Sequence, residues 1–484
     1  MIRSLMVTFI LVTSLFTAQA QSESNRDARE WTLQECVKVA LENNLNVRRS
    51  LYNMESFKVG LFQSKMAFLP TINAGGSYSE NFGRALNPVT NLFINRNSTN
   101  INVQANSALT LFNGLRIQNT FRQSQKDYLA SEQDLEKAKN DVIINVVTLY
   151  VNVIFNQELY DNANFQLNSS QQQLERIKKQ VLAGGLPKGD ELNQEAQVAT
   201  NEATLINQEN ALNLSLLQLK QAMQIPGSTA MRIETPEIQL EDLILEDNPS
   251  LIYEAALQSM PEIKSASLKV ESSSLAVKAS KGSLYPRLSL NGSAASNYSS
   301  ASDNPRSALD GTTSLTSSPI GVVSGTTQQV FGYQPNTVII SEGYGQADQL
   351  EDNLFKSVGL SLTIPVFNGW QTRSNVQRAA INYEIANINQ QETRNMLRQT
   401  IETAYNDALA ASKSYAASLK QVQAREEAYR MSKQRFELGA INYIEFQISE
   451  NDLFGARSDL ARAKYNFIFK KKILDFYQGK PIDY

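Results

Sequence analysis

The chain carries few side chains able to do covalent or metal chemistry. It has no histidine and a single cysteine, Cys36. A Ser-His-Asp triad, a Cys-His dyad and any histidine-ligated metal site are therefore excluded. Cys36 sits among Leu33, Val37 and Leu41 at helical spacing, which reads as a small buried hydrophobe rather than a reactive thiol. One cysteine forms no internal disulfide, even in a compartment that permits one. Carboxylates remain, and a pair of them can run acid–base hydrolysis. No pair here stands out from the solvated charges of helices, so an enzyme is the weakest reading and no cofactor or metal is expected. The balance of 45 Lys+Arg against 48 Asp+Glu gives no sign of a nucleic-acid partner.

The elements that carry these residues begin after a leader. Arg3, an apolar run from Leu5 to Phe16 and Ala18-Gln19-Ala20 form the three parts of a secretory signal peptide, residues 1–20. The run is too short for a membrane anchor, and no cysteine follows it to suggest a lipoprotein. Removing the leader takes away Arg3 alone and moves the net charge from −3 to −4. Beyond residue 20 no apolar stretch is expected to reach the length of a transmembrane helix.

The rest is written twice. Ala40-Leu41, Val47 and Pro70 recur as Ala256-Leu257, Ile263 and Pro286, at a spacing of 216. Phe112-Asn113-Gly114 recurs as Phe367-Asn368-Gly369, and Gly184 as Gly439, at a spacing of 255. The first repeat covers 21–247 and the second 248–484, with 39 extra residues inserted between Pro286 and Phe367.

Each repeat opens with an amphipathic helix of about thirty residues, near Leu33–Lys65 and Ser250–Lys281, closed by the proline. The period then changes to two. Ile72, Ala74, Gly76 and Tyr78 alternate with polar residues, as do Leu288, Leu290, Gly292 and Ala294. Second strands follow through Ile101, Val103, Ala105, Leu109 and Leu111, and through Val358, Leu360, Leu362, Ile364 and Val366. Four strands of about ten residues, apolar on one face and small-polar on the other, fit a membrane β-barrel; alternation alone also fits a soluble half-buried sheet. A secreted chain with long polar loops, about 80–99 and 297–353, tips the balance to the barrel.

Past Gly114 and Gly369 the pattern is heptad. Phe121, Tyr128, Leu135, Val142 and Leu149 form one seam, and Val146, Val153, Tyr160, Leu167, Leu174 and Val181 another. Ile401, Ala408, Tyr415, Val422, Tyr429 and Phe436 match in the second repeat. Returning helices carry Val198, Leu205, Leu212 and Leu219, and Leu453, Leu460, Phe467 and Leu474. Such seams specify coiled-coil packing. The first long helix extends about 100 Å at 1.5 Å per residue. Its shorter partner must run antiparallel, because the connection Ala183–Gly189 is tight. A proline-bearing stretch, Pro226–Asn248, links the repeats.

Four strands cannot close a barrel, and an open sheet edge cannot stand in lipid. The barrel is then shared: three copies supply twelve strands and a channel, whereas two supply eight, whose interior side chains fill. The expected architecture is mainly α with a membrane β-barrel, a trimeric 12-stranded barrel of four strands per chain continued by a long α-helical coiled-coil tube.

In this order of elements the chain resembles the TolC-type outer-membrane efflux proteins. The resemblance runs from Trp31-Thr32-Leu33 to the end, through the Leu-Pro and Tyr-Pro strand entries, the Phe-Asn-Gly exits and the glycine-containing tips. It implies a homotrimer in the outer membrane of a Gram-negative bacterium, with its helical tube in the periplasm. It also implies docking to a periplasmic adaptor (membrane-fusion) protein and an inner-membrane pump, for passive export of small molecules or polypeptides. Carried over to this chain, adaptor docking falls on Gly184, Gly185, Leu186 and Pro187 and on Leu438, Gly439, Ala440 and Ile441. Leu186 and Ile441 are the preferred contacts, although the glycines also serve as plain helix C-caps. The family's acidic pore constriction falls on Glu445 and Asp190, where carboxylates from three subunits would attract cations and have raised pKa values. An acidic residue at a helix N-terminus needs no pore to explain it, which applies most to Asp190. Ile448 stands where a second acidic residue would follow Glu445. The alternative is a trimeric outer-membrane structural or adhesin-like protein acting through its surface loop.

Overall fold

The computed structural model describes residues 30–86, 93–95, 97–234, 248–300, 306–341 and 344–480. The leader at 1–20, most of the 226–248 link and parts of both outer loops lie outside the described residues. The chain divides into two compact units. One comprises Met1–Gly60, Ser124–Ser273 and Asn382–Tyr484, the other Leu61–Gln123 and Ser274–Ile381.

In chain order, β1 (Glu30–Trp31) leads to α1 (Leu33–Asn43), α2 (Leu45–Met66) and β2 (Thr71–Asn81). The short strands β3 (Arg84–Leu86) and β4 (Phe93–Asn95) precede β5 (Ser98–Phe112). Then come α3 (Arg116–Leu182), α4 (Lys188–Ala222) and β6 (Arg232–Ile233). The second half begins with α5 (Pro249–Ser259), α6 (Pro261–Gly282) and β7 (Arg287–Ser299). It continues through β8 (Arg306–Leu315), β9 (Gly321–Val322), β10 (Gln329–Val330), β11 (Tyr333–Ser341) and α7 (Gln346–Asp352). It ends with β12 (Phe355–Thr363), α8 (Gln371–Glu437) and α9 (Tyr443–Tyr477). The long helices α3 and α8 are both 67 residues, and their partners α4 and α9 are both 35.

The opening helix expected in each repeat is two helices. Thr32 starts α1 with a capping box: its hydroxyl accepts from the Glu35 N–H, and the Glu35 carboxylate accepts from the Thr32 N–H. Asn44 then leaves the helical region at ψ 125°, and its side-chain oxygen accepts from Asn46 N–H (2.8 Å), restarting the chain as α2. In the second half the break falls at Met260, because Pro261 disfavours helical geometry in the residue before it.

Within the helical unit every heptad residue named above, from Tyr128 to Leu474, is buried or half-buried. Cys36 and Ala40 pack with Val146, Tyr150, Leu219 and Met223 in one core. Ile252, Ala256, Ile401, Ala408 and Leu474 form a second. Burial pushes the Cys36 thiol up to about 12, with the Glu35 carboxylate adding to the shift, which makes it inert. Contrary to expectation, one stretch of α3 is apolar and long enough to cross a membrane. Val142, Val146, Val147, Tyr150, Val153 and Ile154 of that helix are buried in the first core, which accounts for its composition.

The other unit holds an antiparallel sheet in the order β12-β7-β5-β2. Cross-strand partners share a face. Ile72, Ala74 and Tyr78 therefore lie with Ala105, Ile101, Leu109, Leu290, Val358, Leu360 and Leu362 on one face. Asn73, Ser77, Gln104, Asn106, Asn291, Ser293, Ser357 and Ser361 occupy the other. Pairing of β12 with β7 repeats that of β2 with β5 at the same two spacings: Thr71↔Ala108 corresponds to Arg287↔Thr363, and Ser79↔Asn100 to Ala295↔Phe355.

Two expectations differ here. The last strand stops at Thr363 rather than Val366, because Pro365 has no N–H for the ladder. The second outer loop is not a plain polar loop but largely a two-stranded ribbon, β8 with β11. On that ribbon Leu309, Leu315, Tyr333 and Ile339 are exposed along one face.

Candidate functional site

Two places could do work: the helical tips, and the open sheet. The first tip closes with Gly184 at φ +77°, its N–H donating to Val181 O (3.0 Å) while Gly185 N–H donates to Gln180 O (2.8 Å). The second repeats this pair of bonds, Gly439 N–H to Phe436 O (3.0 Å) and Ala440 N–H to Arg435 O (2.8 Å), with Gly439 at φ +68°. Both are Schellman closures, so these glycines earn their places by capping.

Asp190 and Glu445 are the third residues of α4 and α9. Each stands in a first turn, where negative charge favours the helix. Glu445 is exposed and also tied locally: its N–H donates to the Asn442 side chain (2.8 Å), whose amide donates back to the Glu445 carboxylate (3.2 Å). Asp190 is half-buried, and its N–H donates to Pro187 O (3.1 Å).

The apolar residues at the tips are sorted differently from expectation. Leu186 and Ile441 pack against a buried cluster of Ile177, Tyr443 and Phe446, joined by Val181, Tyr429 and Phe436. Phe436 and Phe446 stack in it at 5.1 Å. The large side chains left open to solvent are Leu182, 89 % exposed, and Leu438, 84 % exposed. Of the large apolar residues predicted for docking, Leu438 is thus the exposed one, and Leu182, at the other tip, was missed because it ends a heptad helix.

Above the tips the two hairpins are tied by polar contacts. The Ser169 hydroxyl on α3 donates to Glu450 on α9 (2.9 Å), and Gln447 donates to Gln197 on α4 (2.6 Å). Glu450 is buried, and this raises its pKa; the Ser169 hydrogen bond and the Lys433 charge oppose the rise. Sequence reasoning passed over Glu450. Its signal was an acidic residue on the apolar seam between Phe446 and Leu453.

A raised folded-state pKa means the packed seam prefers protonated Glu450. That stabilisation is complete below the unfolded pKa and is lost as pH climbs through the folded one. Glu450→Gln should therefore melt above wild type near neutral pH, with the gap closing as pH is lowered through the acidic range; a gap independent of pH would contradict this. Ser169→Ala should cost about 1.5–3 kcal/mol at neutral pH, the range for a hydrogen bond to a charged group. Its cost should shrink in acid, when Glu450 is neutral.

In the sheet unit, β2 and β12 are edge strands with no partner beyond them among the described residues. Ile72, Tyr78, Val358, Leu360 and Leu362 stand exposed on the apolar face. Each strand enters its long helix through two successive left-handed residues, Gly114 and Leu115 at φ +65° and +62°, and Gly369 and Trp370 at +63° and +66°. No group of acidic, cysteine or histidine side chains suited to a metal occurs among the described residues.

The described residues thus form long paired helices and a small amphipathic sheet with open edges. The chain belongs to the outer membrane efflux protein family, whose description matches residues 36–223 and 252–468. It is similar to the outer membrane efflux protein BepC of Brucella suis, 22 % identical over 435 residues, 89 % of this chain and 81 % of that protein. It is likewise 22 % identical to the outer membrane protein TolC of Escherichia coli, over 89 % of this chain and 78 % of that protein. Among solved structures, VceC from Vibrio cholerae shares the fold at TM-score 0.72 and 13 % identity, covering 93 % of this chain and 97 % of that one. The Campylobacter jejuni CmeC channel does so at 0.69 and 17 %, covering 96 % and 91 %. The protein is an outer-membrane efflux duct with its helices in the periplasm.

Proposed function

We propose that three copies of this chain form a passive exit duct. The observation that carries this reading is the four-stranded sheet with free edges at β2 and β12, apolar on one face and lined with Asn, Ser and Gln on the other. Three such sheets close a 12-stranded barrel with lipid outside and a wet lumen. The chain is an internal duplication, 21–247 and 248–484 behind a leader at 1–20, so three copies present six similar hairpins around the tube. Equal helix lengths in the two halves support this.

The tips, Gly184–Pro187 and Leu438–Ile441, meet a periplasmic adaptor, which connects the duct to an inner-membrane pump. Leu182 and Leu438 supply exposed apolar anchors for that contact. The duct does no chemistry, and the energy comes from the pump. Its cargo is a small molecule or a polypeptide. Asp190 and Glu445 from three subunits contribute six carboxylates near the periplasmic mouth.

Planar-bilayer recording tests the duct. The purified protein should conduct, and Glu445→Gln should relieve block by divalent cations; unchanged block removes the gate role from Glu445. A protein that forms no pore at all turns attention to the second reading, an adhesin-like trimer. The exposed apolar face of the β8–β11 ribbon is the feature that favours it.

A further inference from the structure

The geometry points to one register for the seam between subunits, with Ser361 lying directly opposite Ser77 of the partner subunit. This rests on the trimeric reading above and goes beyond it to residue level. Three observations carry it.

The first is the pairing inside each half. All nine β12–β7 pairs, from Phe355↔Ala295 to Thr363↔Arg287, are reproduced by β2–β5 pairs when the first half is shifted by 216 in β2 and 255 in β5. The two halves therefore share one strand geometry. The second is the β5–β7 contact, which joins the first half to the second within the chain. Under the same two shifts it becomes a contact between β12 and the β2 edge of the next copy. Asn106↔Ser293 turns into Ser361 opposite Ser77 of the partner subunit, and Ser107↔Gly292 into Leu362 opposite the partner subunit's Gly76. Leu360 then faces the partner subunit's Tyr78, so the apolar and polar faces both run on across the seam. A slip of one residue would turn Leu360 and Leu362 onto the polar face.

The third observation is an unfilled socket. Gly114 is packed so closely that a Cβ there would lie 2.3 Å from Gly282 O and 2.9 Å from Tyr285 Cβ, and its neighbour Asn113 is 7 % exposed. At the matching turn a Cβ on Gly369 meets nothing within 4 Å, and Val366 and Phe367 stand 91 % and 81 % exposed. The counterparts of Gly282 and Tyr285 are Met66 of the partner subunit, the last residue of its α2, and the partner subunit's Leu69 in the turn that follows. Seating the turn beside that segment covers it, though less closely than at Gly114, because the partner subunit's Met66 carries a Cβ and one on Gly282 would lie 2.7 Å from Gly114 O; the strands set the register.

Cysteine pairs read the register directly, because Cys36 is buried and unreactive. In the full-length protein in outer membranes, Ser361→Cys is combined in turn with Gly75→Cys, Ser77→Cys and Ser79→Cys, then mildly oxidised. Opposed residues in antiparallel strands have Cβ atoms about 4.5–5.5 Å apart and diagonal ones about 7–8 Å, while a disulfide needs about 3.8 Å. The Ser77→Cys combination should give covalent trimers on non-reducing denaturing gels, several-fold more than either neighbour. Leu362→Cys with Gly76→Cys should also link, and since adjacent pairs alternate in type, one of the two pairs occupies the closer, non-hydrogen-bonded position. A maximum at residue 75 or 79, or equal yields in all combinations, with the native trimer intact, overturns the register. A protein that is no trimer by native mass measurement in detergent overturns the trimeric reading, and the register with it.

Discussion

Gly114→Ala should cost about 2–5 kcal/mol and sharply lower the yield of folded protein. Two penalties add. The left-handed backbone at φ +65° costs an L-residue roughly 1–2 kcal/mol. The added methyl also meets the Gly282 carbonyl oxygen at 2.3 Å, and overpacking of this kind costs about 1–3 kcal/mol. Backbone on the far side cannot swing away as a side-chain end would. Gly184→Ala is the control, since its φ of +77° carries the strain alone, with open space around the Cβ. Denaturant titration of both variants in detergent should place Gly114→Ala well below Gly184→Ala. Equal losses would mean that the junction yields to the methyl group.

Leu182→Asp combined with Leu438→Asp should reduce export at least tenfold, without lowering the amount of protein in the membrane or its conductance. Each leucine is almost fully exposed in the protomer, so its replacement leaves the tip's own packing alone. Burying such a side chain against an adaptor contributes about 1.5–3 kcal/mol. Losing both, and placing a charge in the contact, exceeds the roughly 1.4 kcal/mol that a tenfold change requires. Retention of the adaptor in pull-downs, together with drug sensitivity of cells, measures it. Unchanged adaptor binding would remove these leucines from the docking surface. Leu186→Ala or Ile441→Ala would be a poorer experiment, because both side chains pack on the Tyr443–Phe446 cluster and their loss would loosen the tip itself.

Much of this architecture was legible in the sequence because long elements with one strict period leave little choice. The seams from Phe121 to Leu149 and from Ile401 to Phe436 turned inward as the heptads required, and the strand phases at Ile72 and Leu288 put apolar residues on one face. What was missed depended on single residues or on geometry between distant segments. The break at Asn44 hangs on one side-chain oxygen, and the end of the last strand on Pro365. The β8–β11 ribbon reads as loop because Asp310, Gly311, Thr312 and Thr313 interrupt its alternation. At the tips, apolar character was visible for Leu186 and Leu438 alike, but only the packing of Tyr443 and Phe446 decides which is covered. Glu450 shows the same limit from the other side: its place on the seam was readable, its hydroxyl partner on another helix was not.

The equal lengths of α3 and α8, and of α4 and α9, bear on how such a chain can drift. Lengthening one hairpin by a heptad would keep every seam in phase, yet leave its tip about 10 Å proud of its sibling at 1.5 Å per residue. The two halves are thereby bound to a common yardstick. Substitutions can accumulate in either half independently, but a change of reach has to be made twice in one lineage, with the intermediate presenting a stepped rim to whatever seats against it.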